Sequence, residues 1–182
     1  MTNEDRSGAP SWADPTNVET TNDVRAVVSM PAGAYSDWLR CLFDFSSDVP
    51  ADAASIDGVE VSFERAATAT NSVTDSAVYL RDSSGQIGDN KATATYYLSY
   101  TDAYESHGGA ADLWGANPSV AAVRDGSTWG VEISCVNTHG TQARSALIDH
   151  VMMRVTYTEA GAGGAVVPIM LQHGQLDGGA VL

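Results

Sequence analysis

Residues 56–66, Ile-Asp-Gly-Val-Glu-Val-Ser-Phe-Glu-Arg-Ala, alternate apolar and polar side chains. Val59, Val61 and Phe63 fall on one face, and Glu60, Ser62 and Glu64 on the other. Period-2 alternation is the signature of a strand with one buried and one solvated face. Asp57-Gly58 is turn chemistry, because glycine accepts backbone angles that other residues resist. Residues 149–158 repeat the pattern, with Val151, Met153, Val155 and Tyr157 in phase. These two stretches are the expected central strands of an all-β domain.

Shorter alternations surround them. They are Val24, Ala26 and Val28; Leu39, Cys41, Phe43 and Phe45; Ala77 and Tyr79 with flanking Val78 and Leu80; and Trp129, Val131, Ile133 and Cys135. Residues 92–99 are rich in Thr and Tyr, which favours strand. Residues 46–55, 66–75 and 102–117 read as loops, the last carrying Leu113-Trp114 as an apolar plug. Residues 83–86 and 88–90 read as turns, and Pro118 opens one helical turn over 118–125. Roughly eight short strands and almost no helical periodicity predict an antiparallel two-sheet β-sandwich of jelly-roll type.

Three segments follow. Residues 1–10 are polar and read as a flexible N-terminal arm, with Trp12 the first anchored residue. Residues 11–158 form the sandwich. Residues 159–182 open as a Gly-rich linker and continue as an apolar tail carrying Val166, Val167, Ile169, Met170, Leu171, Val181 and Leu182. Exposed apolar residues on a flexible tail need cover. The tail either folds back onto its own sandwich or docks on a neighbouring subunit, and the second is the favoured expectation.

Charge narrows the partners. The chain of 182 residues has 23 acidic and 9 basic residues, a formal charge of −14, and Lys91 as its single lysine. Such a surface repels phosphate backbones, so no nucleic-acid partner is expected. A GC-rich genome and adaptation to high salt both account for this composition. No apolar run of about 18 residues is present, so no membrane span is expected. The N-terminus lacks the basic and apolar regions of a secretory signal. Cys41 and Cys135 sit in strand-like runs and read as buried free thiols; a disulfide stays open. No CxxC or HExxH pattern supports zinc.

Catalysis needs converging groups. His107, His139, His150 and His173 are the candidate bases, and Asp102, Glu105 and Asp112 lie near His107 in sequence. His107 and His139 sit in loops that could meet at one end of the sandwich. No nucleophile elbow or P-loop accompanies them. No catalytic residue, metal site or cofactor is assigned. Calcium is a low-ranked candidate through Asp48, Asp52, Asp75, Asp82, Asp89 and Asp125, taken as loop acids without EF-hand spacing. Tyr96, Tyr97, Tyr100 and Tyr104 form an aromatic run in which Tyr96 and Tyr97 alternate sides. Tyr100 and Tyr104 are candidates for a glycan site or a subunit interface. Lys91 is expected to pair with Asp89 or a strand carboxylate, and Arg65 with Asp149.

Several short motifs carry a resemblance. They are Ile56-Asp57-Gly58-Val59-Glu60-Val61, Glu64-Arg65-Ala66, Gly88-Asp89-Asn90-Lys91-Ala92, Gly108-Gly109 with Asp112-Leu113-Trp114-Gly115, Trp129-Gly130-Val131 and Asp149-His150-Val151. In this order they resemble a jelly-roll module that recurs in virion proteins of tailed phages and related viruses. Ala110 departs from the pattern, which has Pro after the paired glycines. The resemblance implies a non-enzymatic virion protein, first a capsid decoration protein on the outer surface of a tailed virus head. The alternative is a host-attachment or carbohydrate-binding module of a fibre or tail. It also implies self-association, expected as a homotrimer, and contact with a major capsid or other virion protein, and possible contact with a host surface glycan.

Overall fold

The two alternating stretches become the two longest strands of a computed structural model that describes residues 1–4, 6, 8–161 and 166–172. In chain order the strands are β1 (Thr2–Glu4), β2 (Ala26–Met30), β3 (Trp38–Leu42), β4 (Ser55–Ala67) and β5 (Val73–Asp82). There follow β6 (Gly85–Ile87), β7 (Ala103–Gly109), β8 (Gly130–Asn137), β9 (Arg144–Thr158) and β10 (Val166–Gln172). A short α-helix, α1 (Val120–Val123), is capped by the Ser119 side chain, which accepts from the Ala122 amide, and a 3-10 turn spans Pro15–Val18. The fold is an all-β sandwich of two antiparallel sheets.

One sheet has the order β1-β3-β8-β5-β6, the other β10-β9-β4-β7. β2 joins the second sheet along the first half of β9, with Ala26 opposite Ile148. β10 runs along the other half of the same edge, from Val166 opposite Thr158 to Gln172 opposite Met152. The inward positions fill the space between the sheets: Leu39, Cys41, Val61, Phe63, Leu80, Ile133, Met153 and Val155 are all fully buried. Both cysteines are buried free thiols.

Three β-bulges set which side chains face inward. One lies between Ile56 and Gly58 on β4. It keeps Ile56 in phase with Val59 although they are three positions apart. A second leaves Asp149 of β9 without an opposite residue, since Glu64 faces His150 and Arg65 faces Ile148. The third lies between Asp75 and Ala77 on β5, so Asp75 faces Cys135 on the core side together with Val78 and Leu80. A bulge re-aims a side chain by breaking the two-residue period.

The structure corrects several expectations. Residues 102–117 contain β7, not loop alone. Its inward residues are Glu105 and His107, so the hydrophobic alternation that betrays a strand is missing. Residues 92–99 form no strand; the segment is tied by the Lys91 amide to the Val78 carbonyl and the Tyr97 amide to the Val73 carbonyl. The supposed flexible arm is fastened. Thr2–Glu4 pairs with β3, and the buried Asp37 carboxylate accepts from the Arg6 amide at 2.9 Å and from the Ser11 hydroxyl. Arg6 in turn donates to Ser134 and lies over the rings of Tyr35 and Trp38. The apolar tail up to Gln172 is an edge strand of its own sheet, with Val167 and Ile169 packed against the core and Val166 exposed. Met170 and Leu171 stand opposite Arg154 and Met153 in that ladder. Val181 and Leu182 lie outside the described residues.

Trp114 explains why scattered glycine motifs belong together. Its indole is fully buried, and Nε1 donates to the Val59 carbonyl at 2.8 Å. Gly108 has φ +76°, and a Cβ there would overlap the indole. Gly88 has φ +75°, and a Cβ there would overlap the Trp114 carbonyl. The ring is thus the plug that the β4, β6–β7 and 110–117 segments close around. Trp114→Ala should destabilise the protein by about 3–5 kcal/mol in urea unfolding. Gly108→Ala should also destabilise, through the strained φ and the lost space, with no change in the surface exposed on unfolding.

Candidate functional site

Arg65 continues the inward phase of Val61 and Phe63, so the strand pattern itself delivers a guanidinium into the core. Its side chain is 3% exposed, and Nη1 donates to Asp75 Oδ1 at 2.6 Å across the two sheets. Nη2 reaches Glu105 at 3.2 Å. The guanidinium also lies 4.4 Å from the centre of the Tyr97 ring. Asp75, itself fully buried at its side chain, accepts from the Tyr97 hydroxyl at 2.7 Å and from the Thr93 amide at 3.1 Å. The Tyr97 hydroxyl stands 3.2 Å from Cys135 Sγ. Burial holds the Tyr97 phenol and both thiols protonated, with Cys135 pushed up to about 12. One carboxylate therefore joins β4, β5 and the extended 91–97 segment.

His107 completes the cluster. Its ring stacks on Phe63, with centroids 4.9 Å apart. Nδ1 lies 2.8 Å from the Lys91 carbonyl, an acceptor, so Nδ1 carries the proton and donates. Nε2 is buried without a hydrogen-bond partner and faces Asp75 Oδ2 at 3.6 Å. Burial lowers the His107 pKa, outweighing the pull of Asp75 in the opposite direction. With both Asp75 oxygens engaged and the Cys135 thiol held protonated, this cluster acts as an inter-sheet clamp.

The other sequence candidates lie elsewhere. Asp75 belongs to β5, not to a loop. Asp149 does not pair with Arg65, because the bulge turns it outward; Oδ2 accepts from the Asn22 and Asp23 amides at 3.1 and 3.3 Å. Lys91 pairs with Asp112 at 2.9 Å, not with Asp89. His139 Nδ1 accepts from the Thr141 and Gln142 amides in the β8–β9 turn, so its ring serves that turn and not a shared site with His107. His150 is buried beside Tyr104, whose hydroxyl lies 2.8 Å from Nδ1. Burial lowers the His150 pKa. His173 lies outside the described residues. Among the described residues, no group of three or more His, Cys, Asp or Glu side chains is arranged to hold a metal ion.

One buried charge carries no signal in the sequence. On the outer face of the first sheet, Glu132 is 4% exposed, gripped by Arg40, Arg81 and Gln86 at 2.6–3.0 Å. The Asp75 clamp was legible in one respect: an arginine in the apolar phase of a strand requires a buried carboxylate, though its identity depends on the Ser76 bulge. The aromatic run divides as the alternation implies. Tyr97 is buried, while Tyr96, Tyr100 and Tyr104 are exposed, Tyr100 most of all at 71%.

No family model, curated protein or solved structure matches the chain.

Asp75→Ala leaves Arg65 as an unpaired buried charge and should cost about 3–5 kcal/mol in chemical denaturation. Adding Arg65→Met should recover much of that loss, because the unpaired charge goes with it. The histidines give a pH signature. Both are held neutral in the fold, while the unfolded chain takes up protons below about pH 6.5. Stability contributed this way is present above that value and is lost as pH falls toward the lower folded-state values. Unfolding curves between about pH 7 and pH 5 should show this decline, and His107→Gln should flatten it.

Proposed function

We propose that this chain is a non-enzymatic structural protein of a virus particle, built on a jelly-roll sandwich and working through its interfaces. The first reading is a decoration protein on the outer surface of a tailed virus head. The observation that carries it is the strand order. β2-β9-β4-β7 faces β3-β8-β5-β6, all pairs antiparallel. Two four-stranded sheets with this interleaving of the chain fit the two Greek keys of a jelly roll, an architecture used by viral capsid and lectin domains. β1 and β10 are then additions at the sheet edges. The convergence of the Gly88, Gly108 and Trp114 motifs, with the Trp114 indole bonded to Val59 of the first motif, supports the resemblance, since those motifs are far apart in sequence.

Assembly is proposed to be a homotrimer in which the C-terminal segment helps fasten subunits, and the partner is a capsid or other virion protein. β10 covers an edge that a sister chain's segment could equally cover, because the ladder is main-chain bonding. A second reading, a carbohydrate-binding attachment module, is favoured by one observation: Tyr100 and Tyr104 present their rings to solvent.

Light scattering should give a trimer mass for the full chain and a monomer mass for a chain ending at Glu159. Folded monomers in both cases would remove the tail from assembly and move the attachment reading ahead.

A further inference from the structure

Among the described residues, four of the seven exposed large apolar side chains fall within nine positions: Tyr96, Leu98, Tyr100 and Tyr104. Their placement is built, not incidental. Tyr97 is turned into the core, while Tyr96 and Leu98 on either side of it are exposed. The segment is held on β4 from both directions: the Ala67 amide donates to the Leu98 carbonyl, and the Tyr100 amide donates to the Ala67 carbonyl. Tyr100 adopts φ 49°, a left-handed conformation that costs a non-glycine residue of order 1 kcal/mol or more. That conformation turns the most exposed aromatic ring of the chain to solvent.

Tyr104 is the neighbour across β4, opposite Glu64. Ala67 and Glu64 are three positions apart, so Tyr100 and Tyr104 are anchored about 10 Å apart along one strand. The Tyr104 hydroxyl is tied to His150 while its ring stays exposed. Burial pushes this phenol up to about 12, so the ring remains neutral in ordinary conditions.

The rim is acidic. Glu64 lies beside Tyr104 and accepts from Thr21. Asp102 and Asp23 flank Arg25, which pairs with both. Two carboxylates thus hold one guanidinium, and Glu64 adds a third acid to the rim beside Tyr104. The exposed faces of tyrosine rings carry negative quadrupole potential, and an acidic rim adds to it. A second copy of this chain, at −14, brings the same sign of charge and is disfavoured here. Phosphate backbones are disfavoured for the same reason.

We propose that the ridge Tyr96–Leu98–Tyr100, with Tyr104 beside it, is the docking surface for a basic protein partner. Arginine or lysine side chains of that partner seat on the tyrosine faces, and Glu64 and the exposed Asp23 supply the countercharge. Leu98 gives the contact its apolar centre. The surface and its partner chemistry go beyond the virion reading and hold whichever assembly the protein joins.

Fluorescence anisotropy on the full-length protein tests this with three labelled probes. These are a peptide alternating Arg and Ser, a peptide of equal length alternating Glu and Ser, and a neutral glucan oligosaccharide. The arginine peptide alone should bind, more weakly as salt rises. Tyr100→Ala combined with Tyr96→Ala should weaken it about five- to tenfold. Tyr35→Ala, at an exposed tyrosine beside Arg6, should leave it unchanged. Equal binding in all variants would mean attraction by net charge alone and overturn the proposal. So would absence of arginine-peptide binding, or a ridge that binds the oligosaccharide instead.

Discussion

A carboxylate and a guanidinium 2.6 Å apart, both shut off from water, lie between the two sheets. Neither charge is tolerable in the interior alone, so each requires the other and a full set of hydrogen bonds. Asp75 can meet Arg65 only if the sheets stack in one relative position. It can meet Tyr97 and Thr93 only if the 91–97 segment crosses the opening between them. Glu105 meets the second nitrogen of Arg65 only if β7 takes the edge of the second sheet. The apolar core would accept many small shifts of one sheet over the other; this cluster accepts few.

The bulges and the indole work toward the same end by other means. The Ser76 bulge turns Asp75 inward, and the bulge at Asp149 frees that carboxylate to hold the turn at Asn22 and Asp23. Trp114 closes the neighbouring stretch of β4 and β7, where the indole and the Val59 carbonyl leave no room for a side chain at Gly108. Irregular positions, not the regular ladder, give this sandwich its specific shape.

The outside of the molecule divides into satisfied and unsatisfied surface. Glu132 with its two arginines, and Arg6 over Tyr35 and Trp38, are internally paired regions of the first sheet's outer face. The ridge at Tyr96, Leu98 and Tyr100 is different: its backbone is bonded to β4 while its side chains face solvent with acid nearby. The β9 edge is completed by a strand joined only through main-chain pairing and modest apolar contact. These two regions are where a protein working through interfaces would work.

The alternation in β4 and β9, the buried phase of β3 and β8, the opposite sides of Tyr96 and Tyr97, and the anchoring role of Trp12 and Trp114 were all legible in the sequence. Each rests on local periodicity or on the size of a single apolar side chain. β7 was not legible, because its inward residues are Glu105 and His107, polar groups whose burial makes sense only beside Arg65 and Asp75. The partners of Arg65, Lys91 and Asp149 were also out of reach. A one-residue bulge reverses which face a side chain occupies, and nothing in the sequence around Ser76 or Asp149 announces one. The sequence by itself determined the class of fold and most of the core, since burial of apolar area follows a repeat of two. Tertiary structure alone decided the charged centre and the fastened N-terminal segment, since a buried charge is matched by whatever distant strand reaches it.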